Sequence, residues 1–459
     1  MKKYITYIRD FLESLKNKFH TKDNKKIILY ISKENEHSRL IELLKALGKN
    51  SKFLITHSQK ENYDSIIIKV DSLVSLGDEK FVKAKVLELE NNDKSKIVFD
   101  LSIEGIDIWG HHSELLFIFH KILRDLRIEQ SRVILINSNS NSRIRYLEWA
   151  YKFSRDYTIS VIGYNFYLFE YYCECLKNEW LIKNHNSVIE NSTQILSQNQ
   201  YDEDRKYFMC LNLRSKGHRR AIVLFLIKNN FLNKGIVTYF GDYFGKKDRD
   251  LTKEEEAMTV LHDRKLELQV LFGQDEDISD YIPKLDELSP IIFDRNSDKM
   301  RNDLWRRKVG EVNFLIPELE FDLSFKKPLS YFEIVTESWF TDERCLYFTE
   351  KTIRPILRLN PFIIVGCPGT LKYLKSVGFK TFSPFIDESY DEISSTEFRM
   401  KAIFKEIKRL CELDKEEIHK MYQKLLPILQ HNLTHFMNNT GDIIDKELEE
   451  NILPFLKKV

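Results

Sequence analysis

The first half of the chain alternates short apolar runs with longer stretches in which apolar residues recur at helical spacing. A continuous apolar run predicts a strand buried on both faces, and an amphipathic stretch predicts a helix that covers a sheet. The predicted strands are Ile27–Ile31, Ser65–Val70, Ile97–Asp100, Val133–Ile136 and Thr158–Ile162, and the predicted helices are Ser38–Leu47, Ser113–Leu126 and Ser142–Phe153. This order predicts a parallel or mixed sheet with helices on both faces.

A polar stretch separates this half from a second alternation. Residues 181–205 are rich in Asn, Ser and Gln and lack periodicity, which indicates a domain boundary with a linker at 191–205. Beyond it, the predicted strands are Lys206–Leu213, Gly235–Tyr239, Tyr331–Thr336, Phe362–Val365 and Phe379–Phe382, and the predicted helices are His218–Asn229 and Thr370–Val377. A charged insertion, helical or looped, occupies 241–310, and the chain is predicted to be helical from Glu397 onward.

Two successive alternations predict an α/β chain with two Rossmann-type domains that face a cleft. The domains are expected at 25–190 and 206–400, followed by helices at 401–459. Ligands of such sheets bind outside the carboxyl ends of the strands. Functional residues are therefore expected where strands end.

Composition narrows the class of protein. The 459 residues include 71 basic and 70 acidic side chains, and this balance disfavours a dedicated nucleic-acid binder. The six cysteines form neither a CxxC pair nor a Cys/His zinc pattern, which indicates free thiols in a reducing compartment. No apolar run approaches the ~20 residues of a membrane span, and no signal peptide precedes residue 20, so the chain is predicted to be cytoplasmic.

Residues 1–24 are predicted to contain an amphipathic helix. Apolar residues recur at helical spacing between Tyr4 and Phe19, with lysines and an arginine between them. Such a helix can pack on the protein's own core, or it can lie on the inner face of a membrane as a peripheral contact. The sequence leaves both interpretations open.

An acid and a base stand together at a predicted helix start, in the segment Tyr347–Pro355. Glu350 could accept hydrogen bonds from sugar hydroxyls while Lys351 neutralises a phosphate. Alternatively, the pair belongs to an ordinary helix start, with Thr349 as the cap and Glu350 in the first turn. The apolar strand that follows ends at Gly366, where a ligand could approach the backbone.

A basic loop follows the first strand of the second half. It contains Arg214, Lys216, Arg219 and Arg220 around one glycine, directly before a predicted helix. Guanidinium and ammonium groups beside free backbone N–H groups suit a pyrophosphate. A solvated basic helix start is the alternative, since neither a Walker loop nor a GxGxxG motif is present.

Carboxylates and a histidine near other strand ends are further candidates. Glu337 ends a predicted strand and could face the same ligand as Glu350, or it could be a capping or salt-bridged residue. In the first half, Glu104 is the first candidate for a general base, followed by Asp100 and His111. A turn in which these side chains satisfy backbone N–H groups is the alternative.

No metal site is predicted. His111 has a neighbouring histidine but no third ligand at suitable spacing. Asp387, Glu388 and Asp391 could suggest a DxD-type metal site, but we interpret them as cleft-lining or structural residues.

The order of these blocks resembles the donor half of the α-1,3-fucosyltransferases, a GT-B family that uses GDP-fucose. The family's "F-E-N-S" and "Y-V-T-E-K" blocks correspond to Val335–Ser338 and Tyr347–Lys351, although the Asn before Ser is missing here. The chain is also similar to glycosyltransferases of phages and surface-polysaccharide clusters, through Gly378–Phe382 and Ile386–Asp391. The resemblance covers roughly residues 206–410 in pieces.

The resemblance implies a role for each donor-site residue. Glu350 would hold the ribose of the donor, and Glu337 would lie near the transferred sugar. The diphosphate would be held by Lys351 together with one of three arginines, which are Arg214, Arg219 and Arg220.

The sequence thus predicts a metal-independent, inverting glycosyltransferase of surface polysaccharide synthesis. It would move a sugar from a nucleotide-sugar donor to a glycan or lipid-linked acceptor, without a further cofactor. Two other classes remain open: a noncatalytic nucleotide- or glycan-binding protein on a transferase scaffold, and a phosphotransferase of polysaccharide assembly.

Overall fold

The protein is described here from a computed structural model. The described residues are 27–31, 53–56, 65–70, 73–87, 95–101, 113–165, 168, 172, 201–212, 215–239, 265–289, 291, 329–340, 345–383, 385–447, 450 and 452–456.

Contacts between residues divide the chain into two compact units. The first unit comprises Met1–His185, Arg344–Tyr347 and Met437–Val459, and the second comprises Asn186–Glu343 and Phe348–Phe436. The chain therefore returns twice to the first unit.

The first unit contains a six-stranded parallel sheet in the order β2-β1-β3-β4-β5-β6. The strands are β1 (Ile27–Ile31), β2 (Phe53–Thr56), β3 (Ser65–Lys69), β4 (Lys96–Leu101), β5 (Val133–Asn137) and β6 (Ser160–Gly163). The helices of this half are α1 (Leu73–Gly77), α2 (Glu79–Leu87), α3 (Ser113–Asp125) and α4 (Ser142–Phe153). Apolar residues of the central strands and of α3 and α4 form one buried core.

The second unit contains a four-stranded parallel sheet in the order β10-β9-β7-β8. Its strands are β7 (Lys206–Asn212), β8 (Gly235–Tyr239), β9 (Ser330–Thr336) and β10 (Phe362–Val365). The helices after β7 are α5 (Gly217–Lys228), α6 (265–272), α7 (Tyr281–Leu288), α8 (Glu350–Leu357), α9 (Thr370–Ser376), α10 (Thr396–Glu412), α11 (Lys415–Glu447) and α12 (Leu453–Leu456). The end of α11, from Met437, and all of α12 belong to the first unit. None of the described helices is both long and apolar enough to span a bilayer.

The structure confirms the predicted fold class, an α/β chain with two Rossmann-type parallel sheets and a helical C-terminal segment. Most predicted strands and helices begin and end within two residues of the observed limits. The predicted helix at 38–47, the amphipathic segment at 1–24 and the linker residues before 201 lie outside the described residues.

One predicted strand is wrong. Residues Phe379–Phe382 form no strand. Their backbone groups are bonded by side chains instead of by a neighbouring strand. Asn432 bonds both the N–H and the carbonyl of Lys380, and Glu388 accepts from the N–H of Phe382. Conversely, the predicted elements do not include β2, α1 or α2.

The return segment 345–347 packs on the loop after β5. The N–H of Leu346 donates to the side-chain oxygen of Asn139 (3.0 Å), and the N–H of Ser140 donates to the carbonyl of Leu346 (3.0 Å). These bonds fix the segment within the first unit, directly before the Thr349–Lys351 motif begins.

Candidate functional site

The carboxylate of Glu337 lies fully buried directly after β9. It accepts hydrogen bonds from the N–H of Thr349 (3.0 Å), the hydroxyl of Thr349 (2.7 Å) and the hydroxyl of Thr352 (2.6 Å). The N–H of Ser338 donates to its second oxygen at 3.2 Å. One carboxylate therefore joins the carboxyl end of β9 to the first turn of α8.

Thr349 is the N-cap of α8. Its backbone is extended, and its hydroxyl oxygen accepts from the backbone N–H of Lys351 (3.4 Å) and from the Lys351 ammonium (3.0 Å). Capping of this kind satisfies an N–H group that the helix leaves unbonded. The helix start predicted from the sequence is therefore present, with Glu350 as its first residue.

Glu350 lies between two cations at this helix start. Its carboxylate is 2.8 Å from the ammonium of Lys351 and 3.7 Å from the guanidinium of Arg354. Burial alone would raise the pKa of Glu350, but these two charges outweigh burial and lower the pKa to about 2. Glu350 and Lys351 each keep a quarter of the side chain exposed, so a fixed anion and a cation both reach the surface.

The loop between β7 and α5 packs on the same end of β9. The ammonium of Lys216 donates to the carbonyl of Ser338 (2.8 Å) and lies 5.2 Å from the ring centre of Trp339. The guanidinium of Arg219 donates to the carbonyl of Glu337 at 3.2 Å. Two of the predicted donor-binding cations thus hold the turn that carries Glu337.

His218 is hydrogen-bonded to the backbone of the same turn. Burial and the neighbouring charge of Arg219 lower the pKa of His218 to about 3, so the ring is neutral at pH 7. Its Nε2 lies 2.7 Å from the carbonyl oxygen of Glu337 and must carry the proton to donate there. The ring also stacks on Phe340, whose other contact is the buried guanidinium of Arg399.

Arg220 points to the insertion. Its guanidinium forms an ion pair with Glu267 of α6 and donates to the hydroxyl of Ser215. A Cβ atom at Gly217 would overlap the Glu267 side chain, so glycine there allows α6 to approach. Arg214 lies outside the described residues. Among the described residues, Lys216, Arg220 and Lys351 are the predicted donor-binding cations that are partly exposed, and Arg220 is engaged with Glu267.

Gly366 makes room for Glu337. It follows β10, which pairs with β9 in register up to Val365 and Thr336. A Cβ atom at Gly366 would lie 3.2 Å from Cβ of Glu337 and 3.0 Å from a methyl of Ile364. The glycine thus serves the packing of the Glu337 side chain in this structure.

The acids near residue 390 have structural partners. Both oxygens of Asp391 accept backbone N–H groups at the start of α9, from Leu371 (3.1 Å) and Lys372 (3.0 Å). Glu388 accepts from the hydroxyl of Thr381 (2.6 Å). Among the described residues, no cluster of three His, Cys, Asp or Glu side chains could hold a metal ion.

The predicted general bases of the first unit are only partly described. Asp100 is fully buried in β4, between Lys69 of β3 and Ile136 of β5 in the sheet register. Glu104 and His111 lie outside the described residues. Of the three candidates, Asp100 is therefore placed by the structure at the carboxyl end of a central strand, away from solvent.

Two residues that bond Glu337 were not predicted from the sequence. Thr352 completes the carboxylate shell of Glu337, and His218 holds its backbone. A hydroxyl one turn after the cap, in Thr349-x-x-Thr352, was the signal for the first. Nothing in the sequence distinguished His218 from a surface residue of a basic helix start.

The chain was compared with protein-family models, curated proteins and solved structures. No protein-family model and no curated protein matches the chain. The chain is similar to an α1,3-fucosyltransferase at 10% identity and a TM-score of 0.34, with 94% of this chain and 92% of the other covered. It is also similar to an α1,3-fucosyltransferase with GDP, at 10% identity and a TM-score of 0.37, with 95% and 96% covered. Similarities of this size assign neither a substrate nor a residue role.

Proposed function

We propose that the chain is a glycosyltransferase whose second unit binds a nucleotide-sugar donor. The first unit would bind the acceptor, a glycan or a lipid-linked glycan of surface polysaccharide synthesis. The reaction would invert the configuration at the transferred sugar and need no metal.

The observation that carries this proposal is the Glu337 network. A buried carboxylate bonds three donors of Thr349 and Thr352, and thereby fixes the helix start that presents Glu350 and Lys351. Preorganised charges at a helix N-terminus beside strand ends are suited to a nucleoside diphosphate. A mere capping role would not require an ionised acid and a cation to remain partly exposed together.

In this proposal, the carboxylate and the lysines of the site bind different parts of the donor. Glu350 is ionised at any pH at which the protein works, so its carboxylate can accept from ribose hydroxyls. Lys351, Lys216 and the positive end of the α8 dipole would neutralise the diphosphate as it departs. Arg219 acts through the backbone of Glu337 and is a positioning residue.

Transfer of the sugar requires one general base, which takes the proton of the acceptor hydroxyl. An acceptor hydroxyl oxygen forms a bond to the anomeric carbon while the bond from that carbon to the diphosphate oxygen breaks. The hydroxyl proton goes to a carboxylate or imidazole, for which Glu104 is the first candidate, followed by Asp100 and His111. The nucleoside diphosphate leaves with the bonding electron pair. Glu104→Gln should therefore spare nucleotide binding and remove transfer, and near wild-type transfer by this variant would refute the assignment of the base.

Nucleotide binding is the first test. Purified protein is titrated with GDP, UDP, CMP and their sugar conjugates while the melting temperature is recorded. Binding should add about 2.7 kcal/mol of stability at a hundredfold excess over Kd. Glu350→Ala and Lys351→Ala should each lower the affinity at least about tenfold, because each removes a charged contact to the ligand.

The matched control is Glu397→Ala. Glu397 also lies in the first turn of a helix and pairs with a lysine, at 2.6 Å from Lys401. This variant should bind nucleotide as the wild type does. Equal losses in Glu350→Ala and Glu397→Ala would refute the donor site.

Product analysis separates the proposed activity from its rivals. Sugar on the acceptor supports a glycosyltransferase. Saturable nucleotide binding without transfer or donor hydrolysis would indicate the noncatalytic binding protein, and phosphate on the acceptor would indicate the phosphotransferase.

A further inference from the structure

Helix α4 presents an apolar stripe to solvent. Ile144, Leu147 and Tyr151 are 62%, 52% and 69% exposed. They stand three and four residues apart, so their side chains share one face of the helix. We refer to these three residues as the α4 stripe.

The opposite face of α4 is already used. Tyr146, Trp149 and Ala150 are buried in the core of the first unit. A helix on the surface of a soluble protein is usually polar on its outward face, and a contiguous exposed apolar patch commonly marks an interaction site. The α4 stripe is not part of the core of the first unit, and its apolar side chains face solvent.

Exposed cations frame the stripe. Arg143 and Lys152 lie on the two edges of the outward face, and the guanidinium of Arg155 lies 3.9 Å from the ring centre of Tyr151. Two acids lie nearby, and each contacts an arginine: Glu148 is 3.4 Å from Arg145, and Asp156 is 3.0 Å from Arg124. Apolar side chains between long cationic ones are suited to an interface between acyl chains and anionic headgroups.

The amino terminus of the chain carries the same combination in its sequence. The first 20 residues contain Lys2, Lys3, Arg9, Lys16 and Lys18 against Asp10 and Glu13, between apolar residues at helical spacing. A cationic segment is electrostatically unsuited to cover a cation-framed stripe. Both are suited to the same anionic surface.

We propose that the α4 stripe docks the first unit on an anionic lipid surface. The helix would lie flat, with its three apolar side chains among the acyl chains and its cations at the lipid phosphates. This proposal does not depend on the donor site, because its readout is lipid binding.

The test is co-sedimentation of the full chain with lipid vesicles. Vesicles of phosphatidylcholine mixed with phosphatidylglycerol should bind the protein, and vesicles of phosphatidylcholine alone should bind it weakly. Added salt should lower the binding, because it screens the headgroup charges. The combined substitutions Ile144→Gln, Leu147→Gln and Tyr151→Gln should lower the partition coefficient about tenfold or more.

Two sets of variants sharpen the result. Arg143→Gln and Arg155→Gln should each lower binding about fivefold, the equivalent of about 1 kcal/mol per cation near a lipid surface. The control pair is Phe117→Gln and Ile118→Gln on α3, which are also exposed apolar residues but lie outside the stripe. The control should bind vesicles as the wild type does. The melting temperature shows that every variant is folded.

Four outcomes would overturn the proposal. They are equal binding to neutral vesicles, unchanged binding of the triple variant, loss of binding in the α3 control, and loss of binding in Lys2→Glu/Lys3→Glu while the triple variant binds fully. Concentration-dependent dimers that the triple variant abolishes, without vesicle binding, would assign the stripe to a second copy of the chain instead.

Discussion

Two buried side chains, one after β9 and one after β6, differ in how their polar atoms are satisfied. After β9 in the second unit, Glu337 accepts four hydrogen bonds from the chain itself. After β6 in the first unit, Asn165 is equally buried, yet among the described residues neither polar atom of its side chain has a hydrogen-bond partner. The same holds for the hydroxyl of Ser142 at the start of α4.

The carboxylate of Glu337 has its hydrogen-bond partners within the chain, whereas the amide of Asn165 has none among the described residues. A buried polar atom without a partner costs free energy, and native proteins keep few of them. The chain supplies all the partners of Glu337, and these bonds hold the start of α8 in place. A water molecule or a hydroxyl compound is suited to bond the Asn165 amide.

Removing the Glu337 carboxylate should have the largest effect. Glu337→Ala leaves donors of Thr349 and Thr352 buried without an acceptor, and we expect a loss of about 3 to 5 kcal/mol in the free energy of unfolding. Nucleotide binding should fall with it, because α8 loses its anchor. Urea unfolding and nucleotide titration measure the two effects.

The control for Glu337 is the buried ion pair of Glu333 and Arg358. Their groups meet at 2.8 and 2.6 Å, away from the helix start. Arg358→Met should also destabilise the second unit strongly, but the folded fraction should bind nucleotide with unchanged affinity. A similar loss of affinity in both variants would show that Glu337 acts through stability alone.

Acid should destabilise both units through one buried histidine each. Burial lowers the pKa of His120 to about 4 and that of His218 to about 3, whereas an unfolded histidine titrates near 6.5. The unfolded chain therefore takes up protons first as the pH falls below 6.5, and stability is lost from there down toward the folded pKa. Between pH 7 and pH 5 each histidine should cost about 2 kcal/mol.

The measurement is urea unfolding at pH 7 and pH 5. His120→Gln and His218→Gln should each reduce the difference between the two pH values by about 2 kcal/mol. A variant that keeps the full difference would show that its histidine is charged, or exposed, in the folded protein.

The sequence predicted much of the fold and part of the site. Continuous apolar runs located β1, β8 and β10 with their observed bounds. In β10 every residue is buried, and a strand buried on both faces has few polar positions. The start of α8 was predictable from a Thr cap followed by an acid. Periodicity cannot show which distant groups meet, so the partners of Glu337 were not predictable.

The roles of Glu337 and Arg220 could not be read from the sequence, because a carboxylate or a guanidinium can bind either a ligand or another part of the chain. Glu337 was expected near the transferred sugar, and the structure shows its carboxylate enclosed by threonines and backbone. Arg220 is one of three arginines predicted as alternatives at the diphosphate, and it pairs with Glu267 of the insertion. A carboxylate or guanidinium looks the same in sequence whether its partner is a ligand or another side chain.

The substitution Asn165→Leu tests whether the buried amide of Asn165 lacks a hydrogen-bond partner. Leu has the same branched shape as Asn, with larger terminal groups, and needs no hydrogen-bond partner, so the free energy of unfolding should rise by about 1 kcal/mol. Transfer to an acceptor should fall if the amide binds that acceptor, while nucleotide binding stays unchanged. A loss of stability would instead show that the amide is satisfied by buried water.

The smallest effect should come from Gly366→Ala, with Gly369→Ala as its matched control. The new methyl at position 366 presses on Glu337 and Ile364 at 3.2 and 3.0 Å, so these side chains must shift by a few tenths of an ångström. At position 369 the methyl meets open space, but the backbone has φ +79°, which disfavours alanine.

Both variants should lose about 1 kcal/mol of stability, the first through crowding and the second through backbone strain. Only Gly366→Ala should also raise the Kd for nucleotide, by about threefold, because a displaced Glu337 moves the start of α8. Calorimetric titration measures this difference at matched stability. Equal Kd values in the two variants would mean that the position of Glu337 does not govern the ligand site, and the contrast between the two sheets would then concern stability alone.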